Sequence, residues 1–300
     1  MKIAITGGTG FVGNYLAERL AAGNHHTYIL TRSPEKHTNT DFVTYIGWLH
    51  EGTAPEKELP ALDAVVNLAG DSIFGYWTEE KKQRIMNSRL HATEQLIDLI
   101  RKMDKKPRVL INGSAIGYYG TSCTQSFTEL TDQPGSDFLA QVAVNWENKA
   151  REAEQLGVRT VLARFGLILG KEGALPLMAL PFKLMAGGKV GTGEQWVSWV
   201  HIKDVAEMII FAMDNEEISG PVNVTAPHPQ RNKDFSKTLA NILHRPCWLP
   251  VPEIAMKAAL GDMSSLILQG QSVLPATAQT YGYDFHYPNL AEALREIYPD

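Results

Sequence analysis

Short apolar runs alternate with longer amphipathic stretches over the first two thirds of the chain. Continuous apolar runs predict buried strands, whereas apolar residues spaced three or four apart predict helices. The predicted strands are 2–6, 27–31, 64–68, 108–112 and 160–163, and the predicted helices include 11–22 and 79–103. Alternating strands and helices of this kind form a parallel sheet that helices cover on both faces, with right-handed crossovers.

Composition and charge narrow the class of protein. The 300 residues include 33 acidic and 28 basic ones, a formal net charge of −5, which does not favour nucleic acid as a partner. Cys123 and Cys247 form no metal or redox motif and fit a reducing compartment. No apolar run is long enough to cross a bilayer, and no signal peptide precedes the first strand. We expect a cytoplasmic protein with no metal site and no membrane partner.

The turn between the first strand and the first helix has the sequence Thr6-Gly-Gly-Thr-Gly-Phe-Val-Gly13. Its G-x-x-G-x-x-G spacing lets the backbone turn sharply and approach a pyrophosphate closely. The N-terminus of the next helix offers free N–H groups to the same anion. A strand, this loop and a helix in that order predict a dinucleotide-binding Rossmann fold rather than a tight turn without a ligand. The predicted contacts are Gly7, Thr9, Gly10, Phe11, Val12 and Gly13.

The end of the second strand distinguishes between the two nicotinamide dinucleotides. NAD-binding folds usually place Asp or Glu there to hold the ribose hydroxyls. This chain has Thr31 and Arg32, and a guanidinium can pair with a 2′-phosphate through charge-assisted hydrogen bonds. The sequence therefore favours NADP(H), and the alternative is that Arg32 is a solvated loop charge.

The pattern changes after about residue 165, where Gly and Pro become frequent. Two strand-like pieces, 199–202 and 222–225, lie between helices, and prolines at 246, 250 and 252 precede a tail with helices at 254–260 and 290–297. We expect a doubly wound parallel sheet over residues 1–165, with added strands from about 199–225. Residues 166–245 would form a smaller substrate lobe, and residues 246–300 a helical C-terminal module.

Further motifs carry a family resemblance. They are Asn67-Leu-Ala-Gly70, Gly113-Ser-Ala-Ile-Gly-Tyr-Tyr-Gly120 and Trp199-Val-His-Ile-Lys-Asp204. Together with the glycine loop, they resemble the extended short-chain dehydrogenase/reductase superfamily. The chain resembles most closely its atypical branch, the YfcH-type epimerase family proteins, which are NAD-dependent epimerase/dehydratase-like and end in a domain of unknown function. The resemblance covers essentially the whole chain.

The resemblance implies roles for individual residues. The glycine loop would cradle the pyrophosphate, and Arg32 would meet the adenosine phosphate. Ser114 would lie near the nicotinamide as the superfamily's catalytic serine. The residues expected to pass beside the adenine and ribose are Leu68, Ala69 and Gly70.

The helix predicted around residues 136–149 departs from the superfamily pattern. Standard members carry Tyr-x-x-x-Lys there, because a tyrosine ionises near pH ~10 and needs an adjacent cation to favour its phenolate. One register pairs Phe138 with Val142, and the other pairs Leu139 with Ala143. Neither register supplies a proton donor or a cation.

Tyr118 is the candidate replacement donor. It follows Ser114 at the end of a strand, which is the edge where sheets of this kind bind ligands. The alternative is that Tyr118 and Tyr119 pack under the substrate lobe with their hydroxyls hydrogen-bonded.

Four other side chains have less definite roles. Glu147 is interpreted as a solvated helix residue, and His201 as a structural hydrogen-bonding residue. Arg89 either faces the cofactor or is a helix-surface charge. Val197 occupies the position at which sugar-nucleotide epimerases often carry an arginine for the substrate diphosphate, which weakens the case for a nucleotide sugar.

Two functions follow from these observations. The first is an NADP(H)-dependent oxidoreductase or sugar-nucleotide epimerase-like enzyme that uses Ser114 and Tyr118. Its substrate would be a small carbonyl or hydroxyl compound, with a nucleotide sugar as one option. The alternative is a non-catalytic NADP(H)-binding redox sensor or regulatory protein that acts through a protein partner. The missing Tyr-x-x-x-Lys pair favours the alternative, and the polar strand edge favours the enzyme.

Overall fold

A computed structural model describes residues 1–299 of the chain. The strands are β1 (Lys2–Thr6), β2 (His26–Thr31), β3 (Val43–Gly47), β4 (Ala64–Asn67), β5 (Val109–Ala115), β6 (Ser126–Phe127), β7 (Arg159–Phe165), β8 (Leu167–Leu169), β9 (Trp196–Val197), β10 (Trp199–His201), β11 (Gly220–Val224), β12 (Gln230–Arg231) and β13 (Ser272–Val273). The helices are α1 (Phe11–Ala22), α2 (Pro55–Glu58), α3 (Glu79–Lys102), α4 (Phe138–Ala150), α5 (Ala174–Lys183), α6 (Ile202–Asp214), α7 (Asn232–Ile242), α8 (Glu253–Leu260), α9 (Ser265–Leu268), α10 (Ala276–Thr280) and α11 (Leu290–Ile297).

Seven strands form one parallel sheet in the order β11-β7-β5-β4-β1-β2-β3. The order reverses between β1 and β4, and ligands of open α/β sheets bind at the carboxyl ends of the strands beside such a reversal. The predicted doubly wound Rossmann-type fold is therefore confirmed, and it places the glycine loop at the reversal.

The sheet is buried on both faces, which explains its continuous apolar strands. Ile3 and Ile5 of β1 pack with α1 and α6 on one face. Ala4 points to the opposite face and packs with Leu96 and Ile100 of α3. Adjacent residues of one strand therefore belong to two different cores. A side chain at any of positions 3–6 is buried, whichever face of the sheet it is on.

Several element boundaries differ from the sequence-based prediction. Strand β5 continues to Ala115 because its ladder with β7 extends through Ser114 and Ala115. Strand β3 was not predicted, since three of its five residues are only half-buried at the sheet edge. Strand β11 joins the main sheet as expected, whereas β10 pairs with β8 in a separate two-stranded sheet.

Two carboxylates, those of the half-buried Glu129 and the buried Asp204, tie residues 272–287 to the rest of the fold. Glu129 accepts hydrogen bonds from the backbone N–H groups of Asn223, Ala276 and Thr277 at 2.8, 3.1 and 3.2 Å. Strand β13 also pairs with β6. Residues 272–280 are therefore joined to the edge of the main sheet.

The second carboxylate, that of Asp204, binds residues 283–287. Asp204, in the first turn of α6, accepts from the Tyr283 hydroxyl at 2.9 Å and from the N–H groups of His286 and Tyr287. Burial, followed by the charge of Asp204, raises the pKa of Tyr283 above its ordinary value. The tyrosine therefore remains a neutral donor to Asp204 at physiological pH.

Candidate functional site

The glycine loop is closed tightly against the end of β4. Gly7 has a φ of +68°, and a Cβ on it would lie 2.6 Å from the carbonyl oxygen of Leu68. A Cβ on Gly13 would collide with the carbonyl oxygen of Gly7. The N–H of Gly10 donates to that same carbonyl at 3.0 Å. The backbone approaches positions 7 and 13 so closely that only glycine fits there. A loop that binds a pyrophosphate requires glycines for the same reason.

The N-terminus of α1 opens at this loop. Its N-cap is Gly10, which has no side chain to cap the helix, and its first turn contains no acidic residue. The first N–H groups of a helix have no acceptor within the helix, so those of Phe11, Val12 and Gly13 are available to an anion. The Phe11 ring packs against the loop after β8, where a Cβ on Gly170 would lie 2.5 Å from it.

The ends of β2 and β4 lie on either side of the loop. Arg32 is exposed directly after β2, and the Thr31 hydroxyl accepts from the N–H of Ser33 at 3.3 Å. The N–H of Leu68 donates to the Thr6 carbonyl at 3.1 Å, and the N–H of Ala69 donates to the Thr6 hydroxyl at 3.3 Å. The structure thus brings Thr9, Gly10, Arg32 and the segment 68–70 to one edge of the sheet.

Arg89 lies under the end of β4 and is not a surface charge. Its Nη1 donates to the carbonyl oxygens of Asp71 at 3.1 Å and Ile85 at 2.9 Å. The guanidinium packs over the Trp146 ring at 5.1 Å and touches the backbone at Gly70. Burial lowers the pKa of Arg89 to about 10, against the opposing effect of the Asp71 charge. A cation therefore supports the backbone at 70–71 from below.

A layer of buried polar residues crosses the sheet beneath the loop. The Thr6 hydroxyl donates to Asn67 at 2.6 Å, and Asn67 donates to Asn112 at 2.6 Å and to Thr93 at 2.8 Å. Thr93 also accepts from the Trp146 indole N–H at 3.0 Å. Buried polar groups that satisfy one another in this way fix the relative positions of β1, β4, β5, α3 and α4.

Ser114 belongs to a second buried network, with α4 and β7. Its hydroxyl is buried and donates to Oε1 of Glu147 at 2.7 Å. Glu147 also accepts from Nε and Nη2 of Arg164 at 2.7 and 2.8 Å. Burial opposes the charge on Arg164, but the hydrogen bonds and charge of Glu147 raise its pKa above the ordinary value.

The interpretation of Glu147 as a solvated residue is therefore wrong. Its side chain is only 4% exposed and forms a bidentate ion pair. The sequence contains a signal for this pair. Glu147 shares a helix face with the buried Ala143 and Ala150, and Arg164 directly follows the apolar run Val-Leu-Ala at 161–163 in β7. Two opposite charges at positions that patterning predicts as buried must pair with each other.

Tyr118 and Tyr119 both have hydrogen-bonded hydroxyls. The half-buried Tyr118 donates to the carbonyl of Asp132 at 3.0 Å, and its ring lies 3.5 Å from the Arg164 guanidinium. Tyr119 is buried, donates to Asn223 at 2.8 Å and accepts from Arg164 at 2.9 Å. Both rings thus pack on the Arg164 side of the sheet edge.

Leu139 of α4 lies against the segment that follows the end of β5. A Cβ on Gly117 would lie 3.2 Å from the Leu139 Cβ, two residues after the exposed Ala115. Phe138 instead packs edge-on against Trp77, with ring centroids 5.5 Å apart. This side of α4 belongs to an apolar cluster of Trp77, Ile85, Val142 and Met263, with Ile73, Met86, Phe138, Leu139, Leu260 and Leu266 around it.

His201 has a structural role, as the sequence indicated. Its Nδ1 accepts from the N–H of Lys203 at the start of α6, and its Nε2 lies 3.0 Å from Glu296. Across residues 1–299, no group of three or more His, Cys, Asp or Glu side chains could hold a metal ion. No helix within the same residues is long and apolar enough to span a membrane.

Comparisons of the sequence with known protein families identify its relatives. The sequence profile of the NAD dependent epimerase/dehydratase family matches residues 3–225, and that of a domain of unknown function, DUF1731, matches residues 251–297. The chain is 51% identical over 300 residues to the epimerase family protein YfhF of Bacillus subtilis (strain 168), covering 100% of this chain and 99% of that one.

Solved structures show the same fold. The crystal structure of human epimerase family protein SDR39U1 (isoform 2) with NADPH superposes with a TM-score of 0.87 and 31% identity, covering 100% of both chains. The UDP-glucuronic acid 4-epimerase from Bacillus cereus, in complex with UDP-glucuronic acid and NAD, superposes with a TM-score of 0.79 at 16% identity. That match covers 99% of this chain and 98% of the epimerase.

Proposed function

The chain belongs to the NAD dependent epimerase/dehydratase family, and we propose that it is an atypical short-chain dehydrogenase/reductase that binds NADP(H) and acts as an oxidoreductase. One observation carries the proposal: a glycine loop closed against β4 at the sheet reversal, with Arg32 at the end of β2. The loop and α1 would hold the pyrophosphate. The segment 68–70 would lie beside the adenine and ribose, with Arg89 supporting its backbone.

Two observations support NADP(H) over NAD(H). Arg32 is exposed where an acidic residue would otherwise select the free ribose hydroxyls, and its guanidinium suits a 2′-phosphate. The human relative was crystallised with NADPH. When bound, such a cofactor supplies hydride transfer, and the protein supplies orientation and proton handling.

The residues at the β5 edge divide into two roles. Ser114 acts as a positioning residue in this proposal, because its hydroxyl is buried and directed to Glu147. Tyr118 is the remaining candidate proton donor, since it is only half-buried at the strand end. It would have to exchange its hydrogen bond with the Asp132 carbonyl for one with the substrate.

The substrate that fits best is a small carbonyl or hydroxyl compound. A nucleotide sugar is less well supported, because Val197 lies in β9 opposite Gln230 and offers no cation. The arginine nearest to it, Arg231, is stacked on Trp196 at 3.7 Å and donates to the carbonyl of Cys123 at 3.1 Å. A diphosphate would have to displace these contacts.

A non-catalytic NADP(H) sensor is the second candidate, and a specific observation favours it. The hydroxyls of Ser114, Tyr118 and Tyr119 are all used within the protein, and neither register of α4 supplies a proton donor. An enzyme and a sensor share the cofactor site and differ in turnover. An enzyme should oxidise NADPH with some carbonyl compound, and a sensor should bind NADPH without turnover.

Calorimetric titration with NADPH, NADH, NADP⁺ and NAD⁺ tests the cofactor site. We expect wild type to prefer the phosphorylated forms, and Arg32→Ala to lose roughly tenfold or more in affinity for them because a charge-assisted pair is removed. Arg151→Ala, which removes a half-exposed arginine that follows α4 and pairs with Glu154, should bind NADPH as wild type does. Absence of dinucleotide binding to wild type would refute both candidates.

A further inference from the structure

The C-terminal domain reaches the carboxyl end of β5 through residues 260–271. The side-chain amide of Gln271 donates to the carbonyl of Ile116, the first residue after β5, at 3.0 Å. The N–H of Ser122 donates to the carbonyl of Gly270, also at 3.0 Å. This 260–271 segment lies within the domain of unknown function, and it borders the strand end at which the substrate is expected.

Contacts on two further sides fix the position of the 260–271 segment. On one side, the N–H of Gly75, in the loop before α3, donates to the sulfur of Met263 at 3.2 Å. On the other side, the side-chain amide of Gln195, directly before β9, donates to the carbonyl of Ile267 at 2.9 Å. The segment therefore connects these two parts of the fold beside the end of β5.

The side chains around this end of β5 are apolar and only partly buried. Leu139 of α4 lies against Gly117, and Leu266 packs against the same buried cluster as Leu139. Leu268 lies 3.5 Å from the position that a Cβ on Gly191 would take. The half-buried residues are Ile116, Leu139, Leu266, Ile267 and Leu268. Accessible apolar side chains beside a candidate site favour a ligand with an apolar body.

The two chain segments that meet here carry few charges. No charged residue lies between Arg108 and Glu129, a stretch that includes the end of β5. Asp262 is the one charged residue of the 260–271 segment, and the chain carries no further charge until Asp284.

The charged side chains on neighbouring elements already have partners. Arg231 is stacked on the Trp196 ring at 3.7 Å, and Lys189 donates to the carbonyl of Thr192 at 3.0 Å. The ion pairs, with N–O distances of 2.7–3.0 Å, are Lys81–Asp71, Lys82–Asp262, Arg164–Glu147 and Lys233–Glu194. An anionic substrate would have to break one of these contacts or lose its hydration without gaining a cation.

We propose that this site takes a neutral carbonyl compound with an apolar body, an aliphatic or aromatic aldehyde or ketone, and that the 260–271 segment forms one wall of its pocket. The inference rests on the proposed oxidoreductase function and names its substrate class. The carbonyl carbon would gain a hydride from NADPH, and the carbonyl oxygen a proton from Tyr118. The products are the alcohol and NADP⁺, and the tyrosine regains its proton from water.

A pair of aldehydes that differ in charge tests the proposal. We expect NADPH-dependent kcat/KM of the wild-type chain to be roughly tenfold or more higher for para-methylbenzaldehyde than for para-carboxybenzaldehyde, because the carboxylate would lose hydration beside half-buried leucines. The comparison uses wild-type protein, so it does not depend on the folding of a variant. Equal or faster reduction of the carboxylate would overturn the proposal.

A charge added to the 260–271 segment tests the proposed wall. Leu268→Lys should lower kcat/KM for para-methylbenzaldehyde by roughly tenfold or more and narrow its advantage over the carboxylate. Ile254→Lys is the matched control, because it adds the same charge at an 82% exposed position of α8 outside the segment. Circular dichroism checks the folding of both variants. A folded Leu268→Lys with an unchanged ratio would show that the segment is not part of the pocket.

Binding separates failure of this proposal from failure of the proposed function. Saturation-transfer NMR in the presence of NADP⁺ should detect para-methylbenzyl alcohol and little of its para-carboxy counterpart. NADPH binding without turnover of any aldehyde would refute the oxidoreductase, while a preference for the neutral alcohol would still support a neutral, apolar site. Binding of neither alcohol, or stronger binding of the carboxylate, would overturn the inference. Absence of NADPH binding would overturn both.

Discussion

At the carboxyl edge of the sheet, the half built from β1, β2 and β4 differs from the half built from β5, α4 and β7. The first half presents main-chain groups and one exposed cation, with glycines where a side chain would not fit. In the second half, Ser114, Glu147 and Arg164 are buried and satisfy one another. The first half, which is proposed to hold the cofactor and is here called the cofactor half, is open to a ligand. The second half, which is proposed for catalysis and is here called the catalytic half, has its polar groups directed inward.

Under the proposed function, this difference would let a family member keep its cofactor site while its chemistry changes. A pyrophosphate cradle depends on backbone shape, which tolerates few alternatives at Gly7 and Gly13. Proton transfer depends on individual side chains, which can be exchanged with less effect on the fold. Three experiments test this comparison, and a fourth measures a pH dependence that should arise outside both halves.

Removing the cation from the buried network of Ser114, Glu147 and Arg164 should have the largest effect, which is a loss of stability. Arg164→Ala would leave the Glu147 carboxylate buried without its partner, and we expect a loss of about 3–5 kcal/mol in the free energy of unfolding. Urea denaturation measures the loss. The double variant Arg164→Met/Glu147→Leu should recover much of it, because neither charge remains. A double variant as unstable as the single one would contradict this account.

Adding a methyl group to the glycine loop should weaken NADPH binding. Gly13→Ala would force the loop away from Gly7, and we expect NADPH affinity to fall by roughly tenfold or more. Calorimetry measures the affinity, with Gly23→Ala at the other end of the same helix as the control. Unchanged affinity in Gly13→Ala would show that the loop does not hold the dinucleotide.

Tyr118→Phe separates the two proposed functions. The lost hydrogen bond to the Asp132 carbonyl should cost about 0.5–1.5 kcal/mol of stability, and NADPH binding should be unchanged. If Tyr118 donates a proton, turnover with an active carbonyl substrate should fall by about 10²-fold or more. Full activity in the variant would exclude Tyr118 as the donor.

The smallest effect should be a pH dependence from His201, far from both halves. Burial lowers the pKa of this histidine in the folded state, with Glu296 acting in the opposite direction. The unfolded chain therefore binds more protons, so stability should fall as pH decreases from about 6.5. Urea midpoints between neutral and mildly acidic pH measure the slope, which His201→Gln should reduce. An unchanged slope would contradict the direction of the shift.

Local patterns in the chain were sufficient for six of the seven strands of the main sheet and for the glycine loop. The bounds of β1, α1 and α11 match the predicted ones because each depends on apolar spacing and on the glycines or prolines next to it. The loop could be interpreted from seven adjacent residues, 7–13, since its function depends on backbone conformation and on the start of one helix. The edge strand β3 was missed because its half-buried residues give a weak pattern.

The half built from β5, α4 and β7 could not be interpreted from local sequence patterns. Ser114 and Glu147 are 33 positions apart in sequence, and only the packing of α4 on β5 and β7 shows that the serine hydroxyl faces the carboxylate. Trp248 and Met185 are 63 positions apart in sequence, and only the folded chain shows that the indole N–H donates to the Met185 carbonyl.

The sequence alone thus determined the fold class and the position of the glycine loop, because hydrophobic periodicity and glycine spacing act over a few residues. Only the tertiary structure decided which polar side chains are buried with partners and which apolar ones are left exposed. The physical reason is that burial and hydrogen bonding are properties of contacts between distant segments. A charge such as that of Glu147 is solvated or paired according to what packs against it.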